Sequence, residues 1–458
     1  MATVVPASEV AVHAASCEVF DHGVRVVRDP CPANAPTPVC TTFDGEGQCP
    51  RWLLFFANGA TGLARECDVD EYFGSALTRV PVNPADAGPF CGGNPPPGVA
   101  PGEITAVRTG LPETATSALA NLTMVDGWGW GYVTADKCSA LVPGPQSKST
   151  ANHGQYDANA NLAVVPVDAD GRFCLYNSRR VQLLADIQGY FAPPAPGGLL
   201  FVPATPRRVI DTRLAPLTLR TAGTITRVST GVAAGTAAVL VNITMVDGLQ
   251  PGYITADRCS AVASGPQTRS NGNVPTVTAI SNLSVVNVDA DGSFCIYTSV
   301  GTNLIVDLQG SFAEFPSPIA SGLGFELVAP TRVLDSRTGN LASIRPGSIT
   351  KVNTGVAPGT ASVLVNLTMV NAPWAGYITA DKCSAMSSGP QDKSNANHPS
   401  STPTSNLSVV PVDPDGSFCI YNSTWLDLVI DLQGSFSPAG SQRLFARTPT
   451  RVLDTRNE

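Results

Sequence analysis

One passage of sequence occurs three times in this chain, and the repetition limits the folds that the chain can adopt. The third copy covers residues 361–436 and contains ASVLVNLTMVNAPWAGYITADKC and SNLSVVPVDPDGSFCIYNSTWLDLVIDLQGSF. The second copy covers residues 237–312, and a looser first copy covers residues 117–191. A period of about 120 residues with constant internal spacing has the size of a domain, so we predict one structural module used three times.

Within each copy the hydrophobic period is two. In SVLVNLTMV, Val363, Val365 and Leu367 share one face of a strand, while Asn366 and Thr368 take the other. That alternation is typical of half-buried strands. About seven such segments per copy, with no helical pattern, predict an all-β fold. We therefore expect a tandem array of three immunoglobulin-like antiparallel β-sandwich modules plus a Cys-rich N-terminal segment, with closed small barrels as the alternative.

Short joints rich in Pro, Gly and Ser separate the copies and set the expected domain boundaries. Module 1 is degenerate, because its first strand LTRVPVN (77–83) lacks the Asp-Thr-Arg ending of the other copies. The predicted organisation is a Cys-rich N-terminal segment (1–71), degenerate β-module 1 (72–196), β-module 2 (197–315), β-module 3 (316–438) and a C-terminal orphan strand (439–458).

Twelve cysteines without a C-x-x-C motif favour disulfides in an oxidising compartment over zinc or redox sites. We expect an extracellular or cell-surface protein. No complete signal peptide is visible, and on this expectation either the leader has been removed or export uses another route. Six cysteines are 36 positions apart in pairs, which predicts the disulfides Cys138–Cys174, Cys259–Cys295 and Cys383–Cys419. The pairing of the other six stays open: Cys17, Cys31, Cys40, Cys49, Cys67 and Cys91.

The charge balance argues against two classes of partner. A formal net charge of −8 lacks the basic face that attracts nucleic acid or an anionic membrane. No apolar run is long enough for a membrane-spanning helix. We therefore expect no nucleic-acid partner and no membrane insertion.

Two acidic motifs recur, and we interpret both as structural. Asp168-Ala-Asp170-Gly171 and its copies at 289–292 and 413–416 offer only two carboxylates, fewer than a calcium loop needs, so we predict hairpin turns and no metal. An Asp and an Arg two positions apart could hold an anion or a sugar, but we predict that they pin the ends of strands. These strand-end pairs are Asp211/Arg213, Asp335/Arg337 and Asp454/Arg456.

Six glycosylation sequons occur in the modules. Five fall in predicted strands, and we interpret their asparagines as polar groups that bond within or across sheets. Asn422 alone is expected in a loop. The five strand asparagines are Asn121, Asn242, Asn282, Asn366 and Asn406.

Aromatic residues lie at a predicted hairpin tip in two of the three modules. Trp128 and Trp130 take this place in module 1 and Trp374 in module 3, whereas module 2 has Leu249. Such residues stack on sugars, bury at a contact between subunits or fold over their own hairpin, and the three alternatives stay open. The long segment between the paired cysteines, which begins near GPQ, is expected to be an ordered surface loop.

No enzyme constellation is found in the sequence. The four histidines (His13, His22, His153 and His398) do not recur in every module, and no nucleophile elbow, zinc-protease or phosphate-loop motif occurs. We expect no catalytic residue, no cofactor and no enzymatic activity.

The segments PTRVLDTR, SVLVNLTMV, GYITAD and VIDLQGSF resemble a repeat of secreted bacterial cell-surface proteins. In that repeat, an L-D-T-R strand, a V-x-L-N-V-T strand and a closing V-D-V-x-G-Y-F strand mark each β-module. The resemblance runs from about residue 77 to the end of the chain. It implies modular architecture and an extracellular location rather than an activity. Module 1 departs from the pattern, and paired cysteines are not general in the repeat.

These observations predict a non-enzymatic extracellular structural protein that serves as a surface or filament subunit. One alternative is a carbohydrate-binding or adhesion array with a cell-surface glycan as partner, and another is an accessory region of a cell-wall enzyme. A sugar-binding array should carry an aromatic platform at the same place in every module, and module 2 lacks one at the tip.

The chain ends with the first strand of a fourth copy, QRLFARTPTRVLDTRNE, which has no sheet downstream. Such a strand can fold back onto module 3 or add to the sheet of another subunit. Module 1 is the expected acceptor, because its own first strand is degenerate. If the strand enters module 1 of the next chain, the contact is heterologous and the assembly does not close on itself. We therefore hypothesise a head-to-tail homopolymer, formed by donor-strand-like pairing through residues 443–456.

Overall fold

The structure is a computed structural model of the 458-residue chain. It describes residues 98–154, 157–274, 278–314, 322–338, 343–400 and 402–457, and before residue 98 only the backbone of five strands. The chain forms two compact units, Met1–Gly102 and Glu103–Glu458, and each is described by itself.

The N-terminal unit contains a two-stranded sheet, β1-β2, and a three-stranded sheet, β3-β4-β5. The predicted boundary at residues 71/72, the segment LTRVPVN and the six cysteines before residue 92 lie outside the residues whose side chains are described. The strands are β1 (Cys17–Asp21), β2 (Val24–Arg28), β3 (Thr37–Thr42), β4 (Arg51–Phe55) and β5 (Thr61–Ala64).

The larger unit consists of short antiparallel strands joined by turns. Its two helical segments among the described residues are single 3-10 turns, Cys259–Ala261 and Thr455–Asn457. No helix in the described ranges has the length and hydropathy of a membrane span.

The strands of module 1 are β6 (Ile104–Arg108), β7 (Ser117–Val125), β8 (Gly131–Asp136), β9 (Ala151–His153), β10 (Ala158–Pro166), β11 (Arg172–Asn177) and β12 (Gln182–Ala192). Those of module 2 are β13 (Leu199–Asp211), β14 (Ile225–Ser229), β15 (Thr236–Val246), β16 (Gly252–Asp257), β17 (Gly272–Val274), β18 (Ala279–Asn287), β19 (Ser293–Thr298) and β20 (Asn303–Glu314). Those of module 3 are β21 (Gly324–Asp335), β22 (Ile349–Asn353), β23 (Ser362–Val370), β24 (Gly376–Asp381), β25 (Ala396–His398), β26 (Thr404–Pro411), β27 (Ser417–Asn422) and β28 (Asp427–Ser437), and the last strand is β29 (Arg443–Asp454).

Modules 2 and 3 are eight-stranded β-sandwiches with the same strand order. In module 2 an inner sheet, β13-β20-β15-β18, lies against an outer sheet, β14-β19-β16-β17. Module 3 repeats this as β21-β28-β23-β26 and β22-β27-β24-β25. Numbered within a module, the orders are 1-8-3-6 and 2-7-4-5, which define a jelly roll. The predicted antiparallel sandwich is confirmed, with a jelly-roll strand order in place of the expected immunoglobulin-like order. The expected count of about seven strands left out the three-residue strand in the long loop (β9, β17 or β25), whose presence completes the jelly roll.

Module 1 takes its first strand from the other end of the chain. Its outer sheet, β6-β11-β8-β9, is built from local sequence, but its inner sheet has the order β10-β7-β12-β29. β29 pairs antiparallel with β12 from Leu184↔Asp454 to Ala192↔Arg443. The C-terminal strand therefore pairs with module 1, the predicted acceptor module, but within the same chain, whereas the prediction placed the acceptor in the next chain.

The inner sheets are buried on both faces, which differs from the expectation of half-buried strands. In β23, Val363, Val365 and Leu367 face the sandwich core of module 3, as the period of two predicts. Leu364 faces a second cluster shared by all three modules, and Asn366 is fully buried. Each inner sheet is covered by the other two modules, so the array closes into a ring.

Phenylalanines lie at the centre of this ring. Phe191 of module 1 stacks on Phe325 of module 3 with ring centroids 4.1 Å apart, and Phe201 of module 2 lies 4.6 Å from Phe436 of module 3. The first strands also bridge one another around the ring. These bridges are Phe201↔Leu323 (modules 2 and 3), Phe325↔Gln442 (3 and 1) and Leu199↔Leu444 (2 and 1).

Candidate functional site

Six buried asparagines bond the modules to one another at their three boundaries. At boundary 1–2, the Asn282 side-chain amide donates to the Asn121 side-chain carbonyl at 2.8 Å. The Asn121 amide donates to the Ser270 carbonyl at 2.9 Å, and the Leu162 N–H donates to Asn282 Oδ1 at 3.0 Å. The same three bonds recur at boundary 2–3 with Asn406, Asn242, Ser394 and Leu283, and at boundary 3–1 with Asn161, Asn366, Ser149 and Leu407.

Five of these asparagines are the sequon residues assigned to strands, and their interpretation as groups that bond across sheets fits the structure. All six are at most 1% exposed. A buried amide left unpaired costs about 1–3 kcal/mol. Since each asparagine has partners in a neighbouring module, this cost penalises any arrangement in which the modules separate. Asn422 differs from expectation: it ends β27, is fully buried, and donates to the carbonyls of Arg345 and Thr424 at 2.8 Å each.

The long loop between the paired cysteines docks each module on its neighbour. In module 2, Tyr253 donates to the Gln267 carbonyl at 3.1 Å, and Arg269 pairs with Asp257 at 2.8 Å. The loop then delivers Ser270, whose N–H donates to the Asp186 carboxylate of module 1 at 3.2 Å. The predicted ordered loop thus has a constant length because its end must reach the next module. Equivalent anchors in modules 1 and 3 are Tyr132/Gln146, Asp136/Lys148, Tyr377/Gln391 and Asp381/Lys393.

Each first strand is held to the last strand of its inner sheet by an arginine. In module 1, Arg451 on β29 forms a bidentate pair with Asp186 on β12, at 2.8 Å for both contacts. Asp186 is fully buried, so the pair places a compensating cation beside a desolvated carboxylate. The equivalents are Arg208–Asp307 in module 2 and Arg332–Asp431 in module 3.

The predicted strand-end pairs are formed in all three modules and extend this network. Arg213 donates to Asp211 through Nε and Nη2 at 2.9 and 2.7 Å, and Arg208 reaches the same carboxylate. The hydrogen bonds from Arg213 lower the pKa of Asp211. The pKa values of Asp335 and Asp454 are lowered in the same way, by Arg337 and Arg456. An arginine also lies three positions before each of these aspartates, as Arg208 does before Asp211. It was not predicted to take part, although it recurs in RRVIDTR, TRVLDSR and TRVLDTR.

The three predicted disulfides within modules are present. Their Cα–Cα distances are 4.6–4.7 Å. Each bond joins the start of the long loop to the outer sheet, at β11, β19 or β27. The bonds therefore fix the loop at the end opposite to its contact with the next module. The bonded residues are Cys138–Cys174, Cys259–Cys295 and Cys383–Cys419.

The Asp-x-Asp-Gly motifs form hairpin turns, as predicted. Gly171 has φ +76°, and its N–H donates to the Asp168 carbonyl at 2.9 Å. The Asp168 carboxylate accepts from the Ser139 hydroxyl at 2.5 Å, so it also ties down the disulfide loop. Gly292 and Gly416 repeat the positive φ. Among the described side chains, no group of three His, Cys, Asp or Glu is placed to hold a metal ion.

The hairpin tips present one large exposed apolar side chain per module. Trp130 is 59% exposed and Trp374 62%, while Trp128 is only partly buried. In module 2 the corresponding tip exposes Leu249 at 70%. The tips share a backbone feature, since the first residue of each (Asp126, Asp247 or Asn371) has a positive φ. The aromatic residues named from the sequence therefore lie on the surface in two modules, and an aliphatic residue takes that role in the third.

His153 and His398 are buried at equivalent positions in modules 1 and 3. The Nδ1 atom of His153 lies 3.1 Å from the Gly154 carbonyl oxygen, and the Nε2 atoms of both rings have no partner in the described part of the chain. Burial lowers the pKa of both imidazoles. Val274 occupies this position in module 2, so the position accepts an apolar group.

Comparisons with known proteins add no function. No family model matches this chain, and no curated protein matches it significantly. Among solved structures, the chain is similar to the CBM22-1–CBM22-2 tandem domain of Paenibacillus barcinonensis Xyn10C, at 11% identity over 54% of this chain and 99% of the other, with a TM-score of 0.16. It is also similar to a Sulfolobus Turreted Icosahedral Virus structure, at 10% identity over 90% and 91% of the two chains, with a TM-score of 0.18. At these TM-scores the likenesses support no conclusion.

Proposed function

We propose that this protein is a non-enzymatic structural subunit of an extracellular assembly, with its three jelly rolls fastened into one ring. The main support for the proposal is that the recurring polar residues hold strands and modules together. The six boundary asparagines and the three arginine–aspartate pairs are engaged in contacts that join strands or modules. A carboxylate held by a bidentate arginine is poorly suited to act as a general acid or base. The repeated motifs therefore serve architecture.

The extracellular part of the proposal rests on the disulfides. Three bonds of the same kind recur once per module, and such bonds persist in oxidising environments. The proposal is also in keeping with the resemblance of the repeated segments to secreted bacterial surface proteins.

The C-terminal strand supplies a route by which subunits can be linked. Exchange of β29 between chains would form the same contacts with β12 of the next chain and give a head-to-tail filament. Within one chain the strand is tethered close to its acceptor, and this high effective concentration favours closure. We therefore take the closed monomer as the resting subunit and strand exchange as the filament-forming step.

Peptide complementation tests this role of the strand. A chain ending at Gly440 should lose stability, because it exposes the edge of β12 and the buried Asp186. A synthetic peptide of residues 441–458 should bind the truncated chain and restore its melting temperature, whereas the same peptide with Leu444→Asp should not. If the truncated chain is as stable as the full chain and ignores the peptide, the proposed closure and exchange are both wrong.

A carbohydrate-binding array at the hairpin tips is the less favoured function. The tips expose Trp130 and Trp374 but Leu249 in module 2, so only two of the three have a ring on which a sugar can stack.

A further inference from the structure

A polar cleft lies at boundary 1–2, between the C-terminal strand and the long loop of module 2. Arg451 and Arg456 of β29 and the following turn line one side, and Tyr253, Arg269 and Asn273 of module 2 line the other. Val125 and Leu184 give it an apolar wall. Its volume is about 110 Å³. A second cleft of about 170 Å³ occupies the corresponding place at boundary 2–3, where Arg208, Arg213, Tyr377 and Lys393 are among its lining residues.

Three residues that line these clefts have buried polar atoms without a hydrogen-bond partner in the described part of the chain. At boundary 1–2 they are Arg269 Nε, a donor, and Asn273 Oδ1, an acceptor, and Asn273 is only 9% exposed. At boundary 2–3 the Thr244 hydroxyl, in a residue 1% exposed, has no partner within the described residues. Buried polar groups are nearly always hydrogen-bonded, so groups like these indicate a missing partner that both donates and accepts.

The other two boundaries show which partners the Asn273 side chain lacks among the described residues. At boundary 3–1 the equivalent Asn152 accepts from the Ser405 hydroxyl at 2.5 Å. At boundary 2–3 the Ser281 hydroxyl accepts from the backbone N–H of the equivalent Asn397 at 3.0 Å, and Asn397 Oδ1 accepts from the Ser394 hydroxyl of its own loop at 2.9 Å. Module 1 has Ala160 where the other modules have these serines, so boundary 1–2 lacks the hydroxyl.

The charges in the cleft favour a neutral ligand. Each cation at boundary 1–2 already has a carboxylate partner: Arg451 with Asp186, Arg456 with Asp454, and Arg269 with Asp257. An anion would therefore gain little net attraction. A hydroxyl group both donates and accepts, which suits the unpartnered Nε and Oδ1 atoms.

We propose that the cleft at boundary 1–2 binds a neutral, hydroxyl-rich ring such as one sugar unit of a glycan, and that the cleft at boundary 2–3 is a related site. The ligand would contact β29 of the closing strand and the docking loop together. It would then bind only the closed ring. This inference goes beyond the structural role proposed above, which stands whether or not a sugar binds.

Saturation-transfer NMR on the full chain tests the proposal. The separate probes are methyl α-D-glucoside, methyl β-D-galactoside and N-acetyl-D-glucosamine, and sodium sulfate is added as a competing anion. We expect saturation transfer to at least one sugar, with Kd on the order of 1 mM, that sulfate does not displace. Asn273→Ala should weaken this binding about tenfold. Ala160→Ser, which supplies the hydroxyl found in the other modules, should weaken it as well.

Two further variants separate binding from folding. Arg269→Lys keeps the pair with Asp257, as Lys148 and Lys393 do in the other modules, but lacks Nε, so it should weaken sugar binding at an unchanged melting temperature. Asn152→Ala is the matched control at boundary 3–1 and should leave the affinity unchanged. The proposal is overturned if no sugar receives saturation, if sulfate displaces the sugar, or if Ala160→Ser and Arg269→Lys bind sugar as well as the unmodified chain.

Discussion

Arg451 and Asp186 are 265 positions apart in the chain and form a bidentate ion pair with both contacts at 2.8 Å. The pair joins β29, the last strand of the chain, to β12, the last strand of module 1 in sequence, and so closes the ring. The equivalent pairs in modules 2 and 3 span only 99 positions, because there the first strand belongs to its own module. The two ends of the ring are thus fastened by the same contact that each complete module uses internally.

Loss of the closing arginine should destabilise the ring. Arg451→Ala leaves the buried Asp186 carboxylate without its cation, and we expect the free energy of unfolding to fall by about 3–5 kcal/mol in urea titrations. Arg332→Ala, which removes the equivalent pair of module 3, should have a similar effect. Lys351→Ala is the control, since Lys351 and Asp415 form an exposed pair, and it should change stability very little. Equal effects of all three variants would refute this account of the buried pairs.

The boundary asparagines should be strongly coupled. Asn282→Ala removes three hydrogen bonds and leaves partners on Asn121 and Leu162 unsatisfied. At about 1–3 kcal/mol for each buried unpaired group, the loss should be several kcal/mol. A double-mutant cycle with Asn121→Ala should give a coupling energy above about 0.5 kcal/mol. Asn353→Ala, at an exposed position of β22, serves as the control. Additive effects of the two substitutions would mean that the modules do not meet at these residues.

Acid should weaken the protein in two separate pH ranges. Burial lowers the folded-state pKa of His153 and His398, so the unfolded chain binds protons more readily, and stability should fall as pH drops through about 6.5. Asp211, Asp335 and Asp454 have lowered pKa values, so their contribution is present above their unfolded pKa of about 3.9 and is lost only as pH falls below it.

The double variant His153→Val/His398→Val tests the first range. Module 2 already carries Val274 at this position, so the variant should fold and should lose the decline between about pH 7 and pH 5 while keeping the decline at lower pH. An unchanged decline near neutral pH would show that other groups cause it.

The module disulfides should each add stability. Every one closes a loop of about 37 residues, worth about 3–4 kcal/mol in the chain-entropy model. Cys259→Ala/Cys295→Ala should therefore lower the free energy of unfolding by an amount in this range. Peptide mapping without reduction should recover the three linked peptide pairs. Free thiols at these six positions would contradict both the bonds and the extracellular location.

The sequence predicts what lies within a module better than what joins the modules. The period of two places Val363 and Val365 on the sandwich face, and the constant spacing pairs the cysteines. The second face of β23 looks polar because of Asn366 and Thr368, and the alternation predicts a half-buried strand, although the sequon asparagine Asn366 is expected to bond within or across sheets. The hydrophobic pattern cannot show whether the polar face of a strand lies against solvent or against another module, because an asparagine occurs in both environments.

Two signals in the sequence nonetheless point to the ring. Each module contains two asparagines with the same spacing, Asn121/Asn161, Asn242/Asn282 and Asn366/Asn406, and solvent-facing residues would not need this regularity. The other signal is the orphan strand, whose acceptor follows from the degenerate start of module 1. Its pairing within one chain could not be predicted, because the distance between β29 and β12 depends on the packing of all three modules.

The most direct test of ring closure is a cross-link between β12 and β29. Tyr190 and Phe445 are register partners on these strands and stack with ring centroids 4.9 Å apart. We expect Tyr190→Cys/Phe445→Cys, treated with a short thiol cross-linker, to run as a monomer on non-reducing electrophoresis, with a linked peptide that neither single variant yields. A ladder of dimers and higher multimers that requires both cysteines would show that the strand enters a neighbouring chain, and would contradict the closed ring.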